Sequence, residues 1–398
     1  MTWLTAPLRK VAPPVPAQST FAPSNYVWQL SLDQIESATG EIIEKRYAAA
    51  SEAGTSTFNF DTGNVLYSKL RPYLNKVAIP DEAGIATTEL IPLRPDPETL
   101  NPRFLAYYLR SPGFVNQASH HVAGAKMPRV VMDWFWAHEI PIPSPREQSR
   151  IVELLDEASR LRRLRREADA KAARILPALF LKMFGDPATN PMGWSLVSFG
   201  NTFDDTTAGN EKLQSSQFME SGKIAVVDQG QSQIAGYFDD VSIAYRGQLP
   251  VIVFGDHTRI FKFIDHPFVL GADGVRVLTP KPKVNPLFAY WHCKLLNIPN
   301  AGYSRHFKYL KEKNFICPDE ALQNRFSGLT QTVMSQTAAL EKAAEKVEQI
   351  FSVMLDNAFS GQLTAQWREG HMQELLAEMA QQARALNLPM PHEQEALP

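Results

Sequence analysis

The side chains best suited to chemistry in this chain fall in three clusters. Lys69, Arg71, Tyr73, Asn75 and Lys76 share one short stretch. Lys126 and Arg129 follow Gly124 in a second, just after His120 and His121, and match in position Ser304, Arg305, His306 and Lys308 after Gly302. The third is His257, Thr258 and Arg259, a turn between two apolar runs. Ammonium and guanidinium groups neutralise phosphates, while amides, hydroxyls and guanidinium forks hydrogen-bond base edges. The chemistry on offer is therefore contact with a polyanion that displays readable edges. The plain alternative for each cluster is a solvated turn or polar hairpin.

Catalytic and metal chemistry find less support. There is no Gly-x-x-x-x-Gly-Lys-Ser/Thr phosphate loop, so ATP-driven movement is not encoded. The Asn/Asp-Pro-Pro-Tyr/Phe tetrapeptide of amino-methyltransferases is absent, and Asn190-Pro-Met-Gly-Trp194 is a poor substitute. Cys293 and Cys317 have no ligand-spaced partners, which argues against a zinc site or a disulfide framework. No nucleophile, base and orienting group stand together in a recognisable pattern. The expectation is a binder with no catalytic residue, metal or cofactor of its own.

With 398 residues and 44% hydrophobic side chains, the chain has room for two or three globular domains. A net charge of −2 does not mark a nucleic-acid binder, although whole-chain charge hides local patches. The sequence lacks an eighteen-residue apolar run and a secretory leader, so the cytosol is the expected location. Residues 1–145 and 187–316 mix short turn-bounded apolar runs, such as Asn64–Tyr67 and Val251–Phe254, with one short helix each. Those helices open on Asn101-Pro102 and Asn285-Pro286, an Asn cap followed by Pro at the first helical position. Each half reads as a small α+β domain.

Two long helices are expected over 146–186 and 317–361, with a tail at 362–398 holding a short amphipathic helix around Met372–Leu386. They repeat each other: Pro143/Pro318, Gln148/Gln323, Arg150/Arg325 and Phe184/Phe359 each lie 175 positions apart. Apolar residues step by three and four along both. The first helix offers Ile151, Leu154, Ala158, Leu161, Ile175 and Leu179, with Arg165 on the seam. The second offers Phe326, Leu329, Val333, Leu340, Val347, Ile350 and Met354. About 36 helical residues span ~54 Å. Two such stripes pair most simply as an antiparallel intramolecular coiled coil. The paired Asn caps are offset by 184 instead, so the domains vary in length where the helices do not. The Arg run at 160, 162, 163, 165 and 166 is accompanied by Glu153, Asp156, Glu157, Glu167 and Asp169, whose i,i+4 pairs suit subunit assembly or backbone attraction better than sequence reading.

Tyr67-Ser-Lys69-Leu-Arg71-Pro72-Tyr73-Leu-Asn75-Lys76 ahead of Thr87-Thr-Glu89, the Pro…Gln lead-in to each long helix, and Ala358-Phe-Ser-Gly-Gln-Leu363 resemble the specificity subunit of type I restriction-modification enzymes. The similarity covers nearly all of residues 1–365 in that family's order. It implies a non-catalytic DNA-specificity subunit with two target-recognition domains, each reading half of a bipartite double-stranded site while the coiled coil sets the spacer. It further implies two methyltransferase subunits, which would carry S-adenosylmethionine, and motor-nuclease subunits as further partners. The alternative in another class is a coiled-coil scaffold whose two β-rich domains bind proteins.

Overall fold

The computed structural model describes residues 2–389 apart from Asp273 and Tyr303, and only the backbone of Ala338, Ala339 and Glu341. Two units are distinguished: one comprises residues 1–165 with 344–398, the other residues 166–343. Both boundaries fall inside the long helical segments, so each unit owns one half of each.

In the first unit the strands are β1 (Leu4–Pro7), β2 (Tyr26–Leu30), β3 (Tyr47–Ala49), β4 (Thr57–Phe60), β5 (Val65–Ser68), β6 (Val77–Ala78), β7 (Gly84–Thr87), β8 (Leu90–Leu93) and β9 (Glu139–Ile142). They form a four-stranded sheet in the order β3-β2-β7-β4, a three-stranded sheet β6-β5-β8 and an antiparallel β1-β9 ribbon. Between β8 and β9 lies helix α1 (Pro102–Arg110), whose cap is Asn101: its side-chain oxygen accepts from the Arg103 and Phe104 N–H groups at 2.8 and 3.3 Å. Pro102 takes the first-turn position, where no N–H is needed.

The second unit repeats the scheme. Its strands are β10 (Leu196–Ser198), β11 (Phe203–Asp205), β12 (Lys212–Leu213), β13 (Ile224–Val227), β14 (Gly236–Phe238), β15 (Val251–Gly255), β16 (Phe261–Ile264), β17 (Phe268–Gly271), β18 (Val275–Pro280) and β19 (Asn314–Ile316). The sheets run β12-β17-β13-β14 and β11-β18-β15-β16, with an antiparallel β10-β19 ribbon. Thus β16-β15-β18 answers β6-β5-β8, and the parallel β13-β17 pair answers the parallel β2-β7 pair. The copies differ at two edges: β4 joins its sheet antiparallel where β12 joins parallel, and β11 adds a fourth strand beside β18 where the first unit's sheet has three. The helix answering α1 is Pro286–Leu295, capped by Asn285.

The helical segments of ten or more residues are α2 (Pro145–Ala172), α3 (Ile175–Phe184), α4 (Pro286–Leu295), α5 (Glu320–Phe359) and, in the tail, α6 (Met372–Ala385). The first long segment is interrupted, against the expectation of one helix. Pro177 has no N–H to return to the Ala173 carbonyl. The ladder slips to a three-residue turn, with Arg174 N–H on Lys171 O at 3.1 Å, and resumes with Ala178 N–H on Arg174 O at 3.1 Å. Pro177 then sits in the first turn of α3, which tolerates it. No proline interrupts α5, and it runs unbroken.

The stripe also differs from the sequence reading. The column Ile151, Ala158, Leu179 in one segment and Phe326, Val333, Val347, Met354 in the other is turned inward, with Leu340 an exposed exception. The second column is not. Leu161, Ile175, Leu329 and Ile350 are 50%, 48%, 43% and 59% exposed, and Leu154 is only half-buried. The inward residues stand one place later, at Leu155, Arg162 and Leu176, and at Thr330, Thr337, Ala344, Phe351 and Ala358. Steps of three-then-four and four-then-three share every seventh residue, so the phase rests on the other column. Polar residues fill it here. Arg162 lays its guanidinium 4.0 Å over the Phe351 ring and pairs with Glu348, while the Thr337 hydroxyl is satisfied by Val333 O at 2.9 Å.

Within the first unit α2 and α5 run antiparallel. Arg162 meets Glu348, whereas Glu147, at the start of α2, meets Thr364 and Arg368 beyond the end of α5. Leu375, Met379 and Ala383 of α6 are buried in this unit, the last two in the same core as Ile151, Leu155, Phe351 and Leu355. In the second unit, Phe180 and Phe184 of α3 pack on Phe288 and on Phe326 near the start of α5. Gln148 and Gln323 give the repeated lead-in its physical meaning. Gln148 accepts from the Asn101 N–H at 2.7 Å and donates to Pro143 O at 2.8 Å; Gln323 does the same to Asn285 and Pro318 at 2.9 Å each. Each long segment is pinned to the capped helix of its own domain. Among the described residues no helix is long and apolar enough to cross a membrane.

Candidate nucleic-acid interface

Two of the sequence clusters turn out to be one place in the fold. Residues 69–76 connect β5 to β6, and residues 256–260 connect β15 to β16, the same turn of the repeated sheet. In both units this turn is joined to the second cluster of the same unit.

In the first unit, Arg71 and Asn75 both adopt left-handed backbone, φ 50° each, and flank a single 3-10 turn over Pro72–Leu74 that holds Tyr73 outward, 54% exposed. The Arg71 N–H donates to Pro128 O at 2.7 Å, and the Val130 N–H donates to Lys69 O at 2.9 Å. These bonds stitch the turn to the loop at 124–129. Arg129 completes the stitch with a forked contact on Glu89, Nε and Nη2 reaching Oε1 at 3.1 and 2.7 Å. Hydrogen bonds from that guanidinium hold the Glu89 carboxyl below the usual carboxylate range. What remains outward is Lys126, Met127 and Tyr73, with Lys69 and Arg71 half-buried at the base.

Five of the candidate residues are spent on the fold or on its internal ties. Asn75 donates to Arg110 O at 3.0 Å, Lys76 to Leu32 O at 2.6 Å, and Arg129 is held by Glu89. Arg259, left-handed at φ 63°, donates to Ile298 O at 3.2 Å. His306 is the clear correction, being fully buried. Its Nε2 accepts from the Ala301 N–H at 3.2 Å, so Nδ1 carries the proton and donates to Asp256 O at 2.9 Å. A ring with both nitrogens satisfied inside the protein cannot reach DNA.

The second unit joins its turn and loop through Asp256. This residue, 2% exposed, receives the His306 N–H and ring Nδ1–H on its carbonyl and the Phe307 N–H on Oδ1 at 2.7 Å. Thr258 Oγ1 donates to Gln229 O at 2.6 Å, and the His257 N–H donates to Gln229 Oε1 at 3.1 Å. Arg305, Lys308 and Thr258 stay exposed around this joint, and Ser304 is half-buried. The Lys308 ammonium lies 4.7 Å over the Tyr309 ring. Tyr303, between Gly302 and Ser304, lies outside the described residues. The sequence reading passed over the acidic partners Glu89 and Asp256. Each stands within or beside a quoted motif, but a carboxylate among cations gives no local sign that it is a strut.

The first unit therefore offers an exposed rim of Lys126, Met127 and Tyr73 and the second one of Thr258, Arg305 and Lys308, each mounted on a joint of two loops. Among the described residues no three His, Cys, Asp or Glu side chains are grouped to hold a metal ion. Cys293 is buried, which pushes its thiol pKa up, and Cys317 is exposed and unbridged.

Residues 44–171 match the type I restriction modification DNA specificity domain. Over this segment the chain is similar to the type I restriction-modification specificity family. The matched segment holds the 69–76 turn, the 124–129 loop and nearly all of α2. The Escherichia coli type I restriction enzyme EcoDI specificity subunit is 28% identical over 130 residues, 32% of this chain and 28% of that one. The alignment thus spans little more than a quarter of this curated relative. Likeness of fold extends further. A chain from a structure described as the basis of complex assembly and conformational transition of the type I R-M system matches 91% of this chain and 98% of its own, at TM-score 0.59 and 20% identity. The type I restriction-modification S subunit from M. genitalium matches 90% and 96%, at 0.53 and 14%. These two chains thus share the fold beyond the part where sequence similarity is detected.

Proposed function

We propose that this protein is the non-catalytic DNA-specificity subunit of a type I restriction-modification complex, in which each α+β domain reads one half of a bipartite double-stranded site. The observation that carries the reading is the duplicated joint: the same turn of the same sheet meets the same loop in both units, and each presents a cationic rim. Tyr73, Lys126, Lys69 and Arg71 form the first head; Thr258, Ser304, Arg305 and Lys308 form the second. Exposed ammonium and guanidinium groups supply phosphate attraction, and the hydroxyls and guanidinium forks supply base-edge contacts.

The helical segments, of equal length and 175 positions apart, set the spacing between half-sites and give two methyltransferase subunits equivalent surfaces. S-adenosylmethionine belongs to those partners, and motor-nuclease subunits join the same assembly. The test is long-read methylome mapping of cells co-expressing this chain with its methyltransferase partner. New adenine methylation at a split motif is expected; only a continuous motif, or none, would sink the proposal. Exchanging residues 187–316 for those of a relative should change one half-site and leave the other.

A further inference from the structure

The two joints do the same work with different chemistry, and the difference isolates residues that act without touching DNA. In the first unit the strut is ionic and partly open, with the side chains of Arg129 and Glu89 42% and 26% exposed. In the second it is buried and neutral on one side. The imidazole of His306 spans from the Ala301 N–H, inside its own loop, to the carbonyl of Asp256 in the neighbouring turn. The Asp256 carboxylate fixes the Phe307 N–H at 2.7 Å, and its other oxygen faces Arg276 Nε at 3.9 Å. Arg276 also covers the Phe307 ring at 4.9 Å. Arg305 and Lys308, the exposed cations of this head, flank His306 and Phe307 directly in sequence. Their backbone is therefore placed by bonds that end on Asp256.

We propose that Asp256 and His306 are positioning residues that set the sequence discrimination of the second reading head, as Glu89 sets that of the first through Arg129. This rests on the assignment of the two domains as half-site readers. Base readout needs donors placed to within a fraction of an ångström, so a loop released from its strut keeps its charge but loses its aim. General attraction to phosphates survives, because it depends on charge and not on register.

The experiment compares H306Q with H306N in the complete methylating complex. Glutamine places its amide near the Nε2 position and loses the side-chain tie to Asp256, leaving only the backbone N–H bond, while asparagine places its amide near Nδ1 and keeps both. H306Q is expected to lower discrimination roughly tenfold at one or more positions of one half-site, seen as methylation of near-cognate sites, with the other half-site unaltered. H306N is expected to keep the wild-type motif, and E89Q to relax the opposite half-site. An H306Q motif unchanged in both halves, or relaxed equally in both, overturns the proposal. If H306Q abolishes methylation altogether, E89Q decides alone: relaxation of one half-site upholds the positioning role and an unchanged motif refutes it. A wild-type complex that methylates no split motif would instead refute the half-site assignment, so the two failures are told apart.

Discussion

The two long helical segments cover 145–184 and 320–359, forty positions each and in register at an offset of 175, yet one is broken and the other is not. Where the first has Pro177 the second has Ser352. Their inward columns nevertheless correspond: Ile151 with Phe326, Leu155 with Thr330, Arg162 with Thr337, Leu176 with Phe351. The shared quantity is the phase of the column, and the chemistry filling it is free to vary. Their beginnings differ more. At the start of α2 the carboxylate of Glu147 is fully buried, accepting from Trp3 Nε1 at 2.9 Å, Thr364 Oγ1 at 2.6 Å and Arg368 Nε at 2.7 Å. The corresponding place in α5 is Leu322, half-buried against the apolar cluster of Phe180, Phe184 and Phe326.

Breaking that contrast at its strongest point should give the largest effect. Glu147→Ala takes the carboxylate partner from Arg368, the Trp3 indole and the Thr364 hydroxyl inside the protein, and should destabilise the first unit by ~3–5 kcal/mol. Leu322→Ala, its counterpart, should cost about 1–2 kcal/mol. Urea unfolding followed by amide exchange in each unit separates the two, and equal losses would contradict the asymmetry. Next comes Ser352→Pro, which removes a ladder bond and forces a ring against the preceding turn of α5; about 3 kcal/mol is expected in the same assay.

Acid should distinguish the domains by a somewhat smaller margin. His292 on α4 is fully enclosed, accepting the Ile316 N–H at 3.1 Å, and burial pushes its pKa down to about 3. The unfolded chain binds the proton near pH 6.5 and the folded one does not. The stabilisation is therefore complete above about 6.5 and falls as pH drops toward 3, at ~1.4 kcal/mol per pH unit, or ~2 kcal/mol at pH 5. Its counterpart in α1 is Tyr108, whose phenol is pushed up by burial to about 12 and does not titrate here. Amide exchange at pH 7 and pH 5 should show the second unit weakening more, with the His292-dependent part absent in His292→Gln. The smallest change is Pro177→Ser. The break already accommodates the ring, so stability should move by no more than ~1 kcal/mol, while circular dichroism should show a small gain in helix.

These contrasts also show what the sequence could disclose. The Asn-Pro caps and the Pro…Gln lead-ins were legible because each acts on backbone a few residues away or on a partner repeated at a fixed offset. Phase is not legible because Leu161 and Ile175 look like core residues, whereas Arg162 and Thr337 reach the inside by a guanidinium laid on a ring and a hydroxyl returned to its own helix. Pro177 is a signal in the sequence that marks the break. The division of the polar clusters into rim and strut is not legible in the sequence. Whether His306 or Arg305 faces outward depends on Asp256, fifty residues earlier, and local composition is the same for both.

The pairing of Glu147 with Thr364 and Arg368, and of Gln382 with the carbonyls of Thr99 and Pro143 at 2.6 and 3.1 Å, has a consequence for the order in which a ribosome delivers this chain. The second unit is one continuous stretch, 166–343, whereas the first is completed only by residues after 344. Domains ordinarily finish in the order in which they are made. Here the domain begun first is closed last, and until α5 and α6 emerge it waits with Glu147 and the apolar faces of Ile151 and Leu155 uncovered.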